Sequence, residues 1–578
     1  MDDFDKILKT FYWPDYLMLI LILLISLSIG FYFGAVKGFK STEDYLMGNR
    51  KMQLFPITMS LIASYVSGIS ILGIPTDVYL YGIHYIFSLI GLVITSVIMN
   101  YIYLPVFYNL KLTSCYEYYE KRFDKKVRIF GSVLFGINTI TWIALVMYVS
   151  ALTLNKVTGL SIHLITPTVC IVCILYTLLG GLKAVVWTDA VQSIIMLCSL
   201  LLLVIKGTFD VGGLHVVLER NLKSGRIEGP SLDLNPTSRY TLWSLSIGAA
   251  VYFLVTTCTD QTMLQRYLAL PSLKKAKSAM YLFVIGYGIF VALCCYSGLL
   301  LYATFYKCDP LKTQLPVKKD QLLLLLVMKV LSTCPGLPGI FIAGTLSACL
   351  SSLSTGLNSM AAVVVQDCHN FYFKQTMTET KAARIMQLTI IFSGTMCVCL
   401  VYLIQQLGTI LQVYMSVGAI TNGASLGLFT AGIIFPSINN KGALMGGISS
   451  LVFMAWLCFK AQAAISSGEL LYIQKPLTTE TCPPNLTHVR LEADHLLLNA
   501  STLDHSGKSF NFYHVSYLWY TLIGTTVVIV GGLIISMIIK DSKKVDPKLL
   551  IPLNRNKAEK TYSLTSAEEN SLTSSSKI

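Results

Sequence analysis

The sequence predicts an all-α polytopic membrane protein with about 13 transmembrane helices. Hydrophobic residues make up 54% of the 578 and charged residues 13%, a balance that water-soluble domains do not keep. Thirteen apolar runs approach or exceed the roughly 20 residues that span a hydrocarbon core. Lys and Arg gather in alternate loops between those runs, as the positive-inside rule requires.

The runs lie near 16–36, 52–82, 84–108, 127–157, 161–182, 185–208, 240–262, 276–306, 337–366, 385–406, 409–436, 441–466 and 515–539. The first follows an acidic start, MDDFD, without a basic leader or small-residue cleavage site, so it reads as a retained helix with the N-terminus outside. Thirteen crossings then put the C-terminus inside. The loops 37–51, 110–126 and 265–277, which includes Arg266, and the Lys-rich tail 540–578 fall on the inner side; the Lys-bearing loop 307–336 falls outside against the trend. The net charge of +14 is read as inner-face Lys and Arg beside anionic lipid, with no nucleic-acid site.

Residues 467–514 form a long polar insertion holding both N-x-S/T sequons, Asn485 and Asn499, on the predicted outer side where glycans are added. Cys308, Cys334 and Cys482 lie at or near the same side and are able to pair there. The remaining cysteines mostly sit in apolar runs as small hydrophobic residues.

Several mechanisms of transport leave marks that are missing. No G-x-x-x-x-G-K-[ST] is present, HSGKS lacking its first Gly, and no H-E-x-x-H. VIGYG at 284–288 occurs once, in the middle of a continuous apolar run, unlike a potassium filter. Two runs instead look broken. In 52–82, Gly68, Gly73 and Pro75 stand among small hydroxyl residues; 240–262 ends in Thr256, Thr257, Thr259, Asp260 and Gln261. They open two sets of five helices, 52–208 and 240–436, and an odd number of helices per set inverts the second copy. The predicted layout is therefore a leading region 1–51, the two repeats separated by an outer loop 209–239, an added helix at 437–466, the outer insertion 467–514, a last helix at 515–539 and the inner tail.

The run 337–366 contains TLSACLSSLSTGLNS, in which Ser347, Ser351, Ser354, Thr355 and Asn358 recur at spacings of three and four on one helix face. Small residues of this kind let membrane helices pack closely. Neutral oxygens at about 2.4 Å also suit Na+, a hard cation, and the neighbours Ser351 and Ser352 offer two.

These elements resemble the sodium/solute symporter family, in the branch of the monocarboxylate, multivitamin and iodide carriers. The resemblance runs from about 40 to 460 and rests on GNRKM (48–52), SLIASYVSGISILGIPTDVYLYG (60–82), LPVFYNLKLTSCYEYYEKRF (104–123), GGLKAVVWTDAVQ (180–192), QRYLA (265–269), the long match at 335–367 and KGALMGG (441–447). It implies a LeuT-type 5+5 inverted-repeat core and a Na+ site made by Ser351, Ser352 and the carbonyls of Ala348, Ala63 and Val66. It also implies that Asp189 and Gln192, in WTD-x-x-Q, assist cation coupling, against the alternative of a solvated carboxylate near the inner end of its run.

Iodide carriers differ at Ser70, Thr257 and Met415, and most of the branch has Asn-Gln where this chain has Asp260-Gln261 and Tyr where it has Thr257. The activity implied is symport, not enzymatic chemistry. Na+ is the co-transported ion and a small organic anion the substrate, monocarboxylates first, vitamin-like carboxylates as the alternative, and a non-transporting sensor or scaffold as a third reading. With no Lys or Arg evident at the middle of the broken helices, a carboxylate is expected to meet half-helix N-termini and Ser64, Ser67 and Ser70, with Thr257, Asp260, Gln261 and Met415 nearby. Asp260, a fixed negative charge there, is expected to be neutralised by a proton, bound to Na+, or turned towards Arg266. The ending SSSKI, with Ser576 and Ile578, fits a PDZ ligand.

Overall fold

The computed structural model describes residues 11–39, 41–311, 321–371, 377–407, 410–467, 469, 470, 472, 474–478, 482, 511–540 and 545–551. Every one of the thirteen apolar runs is met by helix. These are α1 (Trp13–Phe31), the pair α2 (Leu54–Tyr65) and α3 (Gly68–Tyr81), α4 (Ile83–Asn109), α5 (Lys125–Thr158) and α6 (Ile162–Val211). They continue as α7 (Ser244–Thr259), α8 (Gln261–Leu268), α9 (Leu273–Phe305), α10 (Leu322–Leu331), α11 (Leu337–Phe371), α12 (Glu379–Leu407), α13 (Ile410–Ile434), α14 (Asn440–Ser466) and α15 (Tyr520–Ile538). The sequence treats 161–182 and 185–208 as separate spans, and the backbone agrees: within α6, Gly181 takes φ 51° and ψ −154°, a conformation only glycine adopts cheaply. VIGYG lies within the uninterrupted helix α9.

The helices are not equally central. In α11, 94% of the most apolar stretch is buried inside the protein, against 28% for α1, so α11 is the axis of the fold and α1 lies at its rim. α1 packs on α6 and α11, while α14 and α15 pack on each other and on α13. Close approach there uses small residues: a Cβ at Gly423 would come within 2.8 Å of the Gly524 Cα. One contact from the rim reaches the axis. Asp15 of α1 is buried and its Oδ1 accepts from the backbone N–H of Gly336 (3.0 Å) and Gly339 (2.8 Å), satisfying orphan donors at the start of α11.

The connecting segments sort into two sets. At one end, Arg50 donates to the carbonyls of Lys111 (2.9 Å) and Leu112, Met52 N–H to Ala269 O (3.2 Å), and Tyr118 to Leu549 O (3.0 Å). Arg122 caps the end of α13 through the carbonyls of Gly432 (3.0 Å), Phe435 (2.9 Å) and Ile438 (3.0 Å). At the other end, Arg226 donates to Tyr79 O (2.8 Å), Lys475 N–H to Leu80 O (2.8 Å), and Cys308 is disulfide-bonded to Cys482. The two sets are the ones that crossing parity assigns to inside and outside. Of the three cysteines named for pairing, Cys334 stays free. Asn485, Asn499, Ser576 and Ile578 lie outside the described residues.

Candidate functional site

The first broken helix is interrupted where the sequence places its glycines and hydroxyls. α2 ends at Tyr65, Val66 and Ser67 are extended, and α3 restarts at Gly68 with an axis turned by 58°. Ser67 caps the new helix, accepting from Ser70 N–H at 3.3 Å, and the two hydroxyls lie 3.3 Å apart. The interruption leaves carbonyls at the end of α2 without helical partners, and α11 meets one of them. Ser351 Oγ donates to Ala63 O at 2.8 Å and lies 3.2 Å from Ala348 O; Ser352 Oγ donates to Ala348 O at 3.0 Å. Four of the five atoms expected around Na+ are thus gathered, all on buried residues, and Val66 belongs to the same break. Two hydroxyls and two carbonyls are neutral, hard oxygens of the kind that suit a hard cation, and here each hydroxyl proton occupies a carbonyl lone pair.

The hydroxyl face of α11 divides. Ser347, Ser352 and Ser354 donate to carbonyls of their own helix, whereas Ser351 and Thr355 reach across to α2. Thr355 belongs to a second cluster one turn from the first. Asp189, from the half of α6 beyond Gly181, is completely buried; its Oδ2 accepts from Ser60 Oγ (2.7 Å), Ser64 Oγ (3.4 Å) and Arg266 Nη2 (2.9 Å). Ser64 also meets Thr355 Oγ1 at 2.8 Å, and Arg266 donates to Ser60 Oγ at 2.6 Å and to Thr355. Ser64 therefore serves this cluster rather than an open cavity.

This geometry corrects three expectations. Asp189 is an enclosed member of an ion pair, not a solvated interfacial carboxylate. Arg266 is not in a loop: it lies on α8, 1% exposed, in a helix whose Met263, Leu264, Tyr267 and Leu268 are buried as well. It is also the cation that the sequence reading did not find near the broken helices, hydrogen-bonded three residues before Ala63. The alternation of Gln261, Gln265 and Arg266 with four apolar residues, after the capping signal Asp-x-Thr, carried that information. Gln192 follows Asp189 one turn on and donates to Ser26 Oγ of α1 at 3.3 Å. Asp189 Oδ1 and Gln192 Oε1 are buried acceptors without a hydrogen-bond partner among the described residues. A buried acceptor is costly to leave unpaired.

The second break, between α7 and α8, is built differently. Its helix widens into π turns over Val255–Thr259, and Thr257 Oγ1 donates to Phe253 O at 2.6 Å. Asp260 is the N-cap of α8, its Oδ1 accepting from Thr262 N–H (2.8 Å) and Thr262 Oγ1 (2.6 Å). Asp260 forms no ion pair with Arg266, whose guanidinium is paired with Asp189. Gln261 clamps the loop before the helix Glu117–Arg122, accepting from Cys115 N–H (2.8 Å) and donating to Thr113 O (2.8 Å). The two breaks touch through Tyr65 OH and Thr256 Oγ1, 3.0 Å apart. The side chain of Met415 lies outside the described residues.

Beyond the first break, Asp77 of α3 accepts from Arg239 Nη2 and Tyr240 OH, both at 2.7 Å, and the guanidinium carbon sits 4.1 Å from the Tyr81 ring centroid. Two ion pairs thus hold the halves of one interrupted helix, Arg266 with Asp189 beside α2 and Arg239 with Asp77 on α3.

Discontinuous helices whose free carbonyls meet hydroxyls of a buried neighbour define a secondary carrier of the LeuT type. The model of the sodium:solute symporter family matches residues 45–450. The sodium-coupled monocarboxylate transporter 1 of Xenopus laevis is 34% identical over 533 residues, 91% of this chain and 85% of that protein. The sodium-dependent multivitamin transporter of Oryctolagus cuniculus is 35% identical over 539 residues, 93% and 84% of the two chains. A solved Na+-coupled sialic acid symporter superposes with a TM-score of 0.73 at 22% identity, over 92% of this chain and 99% of that one, which shows the shared fold. The chain belongs to the sodium:solute symporter family. It is a multi-pass membrane carrier, not an enzyme, and Na+ is its co-transported ion.

Proposed function

We propose that this chain is a plasma-membrane symporter that uses the inward Na+ gradient to import small monocarboxylates, such as lactate, pyruvate or short-chain fatty acids. The observation that carries the ion half of the reading is the reach of Ser351 to Ala63 O across the break. An ion held by Ser351, Ser352 and the carbonyls of Ala63, Val66 and Ala348 bridges α11 to α2, so its arrival and departure are felt at the interrupted helix. Asp189 and Gln192, each with an unpaired buried oxygen, supply a further cation contact along the same path. The substrate half draws on the relatives named for monocarboxylates and on the start of α3, where Ser67, Ser70 and the helix N-terminus offer donors and positive potential to a carboxylate. Thr257, Asp260, Gln261 and Met415 complete the substrate reading from the second repeat; in the structure the first three hold the α7–α8 break together.

The 35% identity to a multivitamin transporter supports biotin or pantothenate as the second substrate class. Uptake of labelled lactate, pyruvate, butyrate, biotin, pantothenate and iodide, with Na+ exchanged for choline, separates the classes. Na+-dependent accumulation of the first three is expected; accumulation of none points to the sensor reading, for which the tail Ser576–Ile578 is a PDZ ligand candidate.

For topology, the reading places the N-terminus and residues 467–514 outside and the C-terminus in the cytoplasm, supported by the two-sided sorting of the loops. Asn485→Gln with Asn499→Gln should abolish an N-glycan shift on gels. A glycosylated mass that persists, or no shift in a glycosylating cell, counts against that orientation.

A further inference from the structure

A groove of about 600 Å³ opens at the rim of the molecule, where the leading helix leaves α6 and α2 begins. Its lining includes Tyr32, Phe33, Lys37, Lys51, Lys183 and Trp187, so the segments on either side of residues 38–50 each contribute a lysine and α6 a third. The charges do not cancel. Asp44 is taken by Lys183 at 2.5 Å, and Glu43 by Arg50 at 3.2 Å. Lys37 and Lys51 are exposed and belong to no ion pair among the described residues. Lys37 Nζ lies 5.2 Å from the ring centroids of both Tyr32 and Phe33, two of the residues that line the groove.

The surroundings are those of a membrane interface. Trp187 is 37% exposed and Tyr32 46%, amphipathic rings of the kind that settle at headgroup depth. Next to them α1 presents Leu24 (52% exposed), Ile25 (39%) and Phe31 (59%), an apolar track along which acyl chains can lie. A soluble anion would use the lysines but gain nothing from this track. We propose that the groove is a binding site for one anionic phospholipid, with Lys37 and Lys51 on the phosphate and headgroup and the chains against α1. The site stands apart from the Na+ and substrate path, and its occupation by cytoplasmic-leaflet lipid rests on the orientation proposed above. Because α1 packs on both α6 and α11, a lipid wedged there bears on the helices that carry Asp189 and Ser351.

The test uses the full chain purified in neutral detergent, with dioctanoyl phosphatidylglycerol, dioctanoyl phosphatidylcholine or inorganic phosphate added separately. Native mass spectrometry should retain phosphatidylglycerol, and thermal unfolding should shift upward with it and not with the other two. Lys37→Gln with Lys51→Gln should weaken phosphatidylglycerol retention at least about tenfold, while Lys156→Gln, in the last turn of α5 and outside the groove lining, should leave it unchanged. Equal retention of the two lipids by the unmodified protein, or an equal thermal shift with phosphate alone, overturns the proposal, as does a double variant that binds like the parent. None of these readouts depends on orientation. That is tested separately, by labelling Lys51→Cys, in a chain also carrying Cys334→Ser, from outside intact cells with an impermeant thiol reagent and comparing it with Cys334→Ser alone: no added labelling is expected, and added labelling overturns the orientation, so either reading can fail without the other.

Discussion

The two interruptions, at Val66–Ser67 and at Thr259–Asp260, occupy the same place in the two predicted repeats, yet they treat their polar atoms in opposite ways. At the first, the carbonyl of Ala63 is left for a hydroxyl from another helix. At the second, Thr257 and Thr259 donate to Phe253 O and Val255 O on their own helix, Asp260 caps α8 and Gln261 is spent on the 113–115 loop. A break whose freed groups are satisfied by atoms that can be exchanged is suited to the ion site proposed above. A break whose groups are satisfied locally is a hinge or a brace. Ser351 can trade a carbonyl for a cation at little cost, whereas withdrawing Asp260 from Thr262 exposes two donors.

The largest test falls on the pair that braces the first break. Arg266→Met leaves Asp189 as a lone charge in a completely buried site, which costs about 3 to 5 kcal/mol. The purified variant should lose most of its thermal stability and its surface expression. Replacing both partners, Arg266→Met with Asp189→Leu, should recover a good part of the stability but not Na+-coupled uptake. Recovery of uptake would mean that Asp189 has no part in coupling and that the cluster is structural alone.

An intermediate effect is expected at the proposed ion site. Ser351→Ala with Ser352→Ala keeps small residues that pack and removes two oxygens, each lost contact costing on the order of 1 to 3 kcal/mol. The half-saturating Na+ concentration should rise by at least about tenfold with normal surface expression. Unchanged Na+ dependence would return the whole hydroxyl face to close packing, the role already visible for Ser347 and Ser354.

Much of this was legible in the sequence, and the part that was not has a common cause. Apolar length marks a span whatever the span touches, so all thirteen runs, the first break and the Ser351–Ala63 pairing were within reach of composition, glycine placement and family motifs. Arg266 was not. Counting Lys and Arg by loop assumes that each faces water, and the short amphipathic helix Gln261–Leu268 violates that assumption by folding back under α2 and α11. Asp15 escaped for the same reason: a charge near a chain end reads as a topogenic signal, and only the packing of α1 on α11 makes it a cap for Gly336 and Gly339.

The smallest predicted effect is the one that separates the two breaks most cleanly. If Asp260 faced a carboxylate at roughly 6 Å, an effective dielectric near 20 would make the repulsion about 3 kcal/mol, more than a hundredfold in affinity. In the structure that charge is instead placed at the start of α8, where Thr262 N–H, Thr262 Oγ1 and the helix dipole meet it. Asn is as good an N-cap as Asp, and its amide oxygen can accept the same two bonds, so Asp260→Asn forfeits only the charge–dipole part, a few tenths of a kcal/mol. Uptake, Na+ half-saturation and the Na+ Hill coefficient should all stay within about twofold of the parent. A lower Hill coefficient would mean that Asp260 leaves its cap to bind a cation in another state of the cycle, making the second break an ion site after all. A large gain in carboxylate affinity would mean that the charge faces the substrate, and a simple monocarboxylate would then be the wrong substrate class for this carrier.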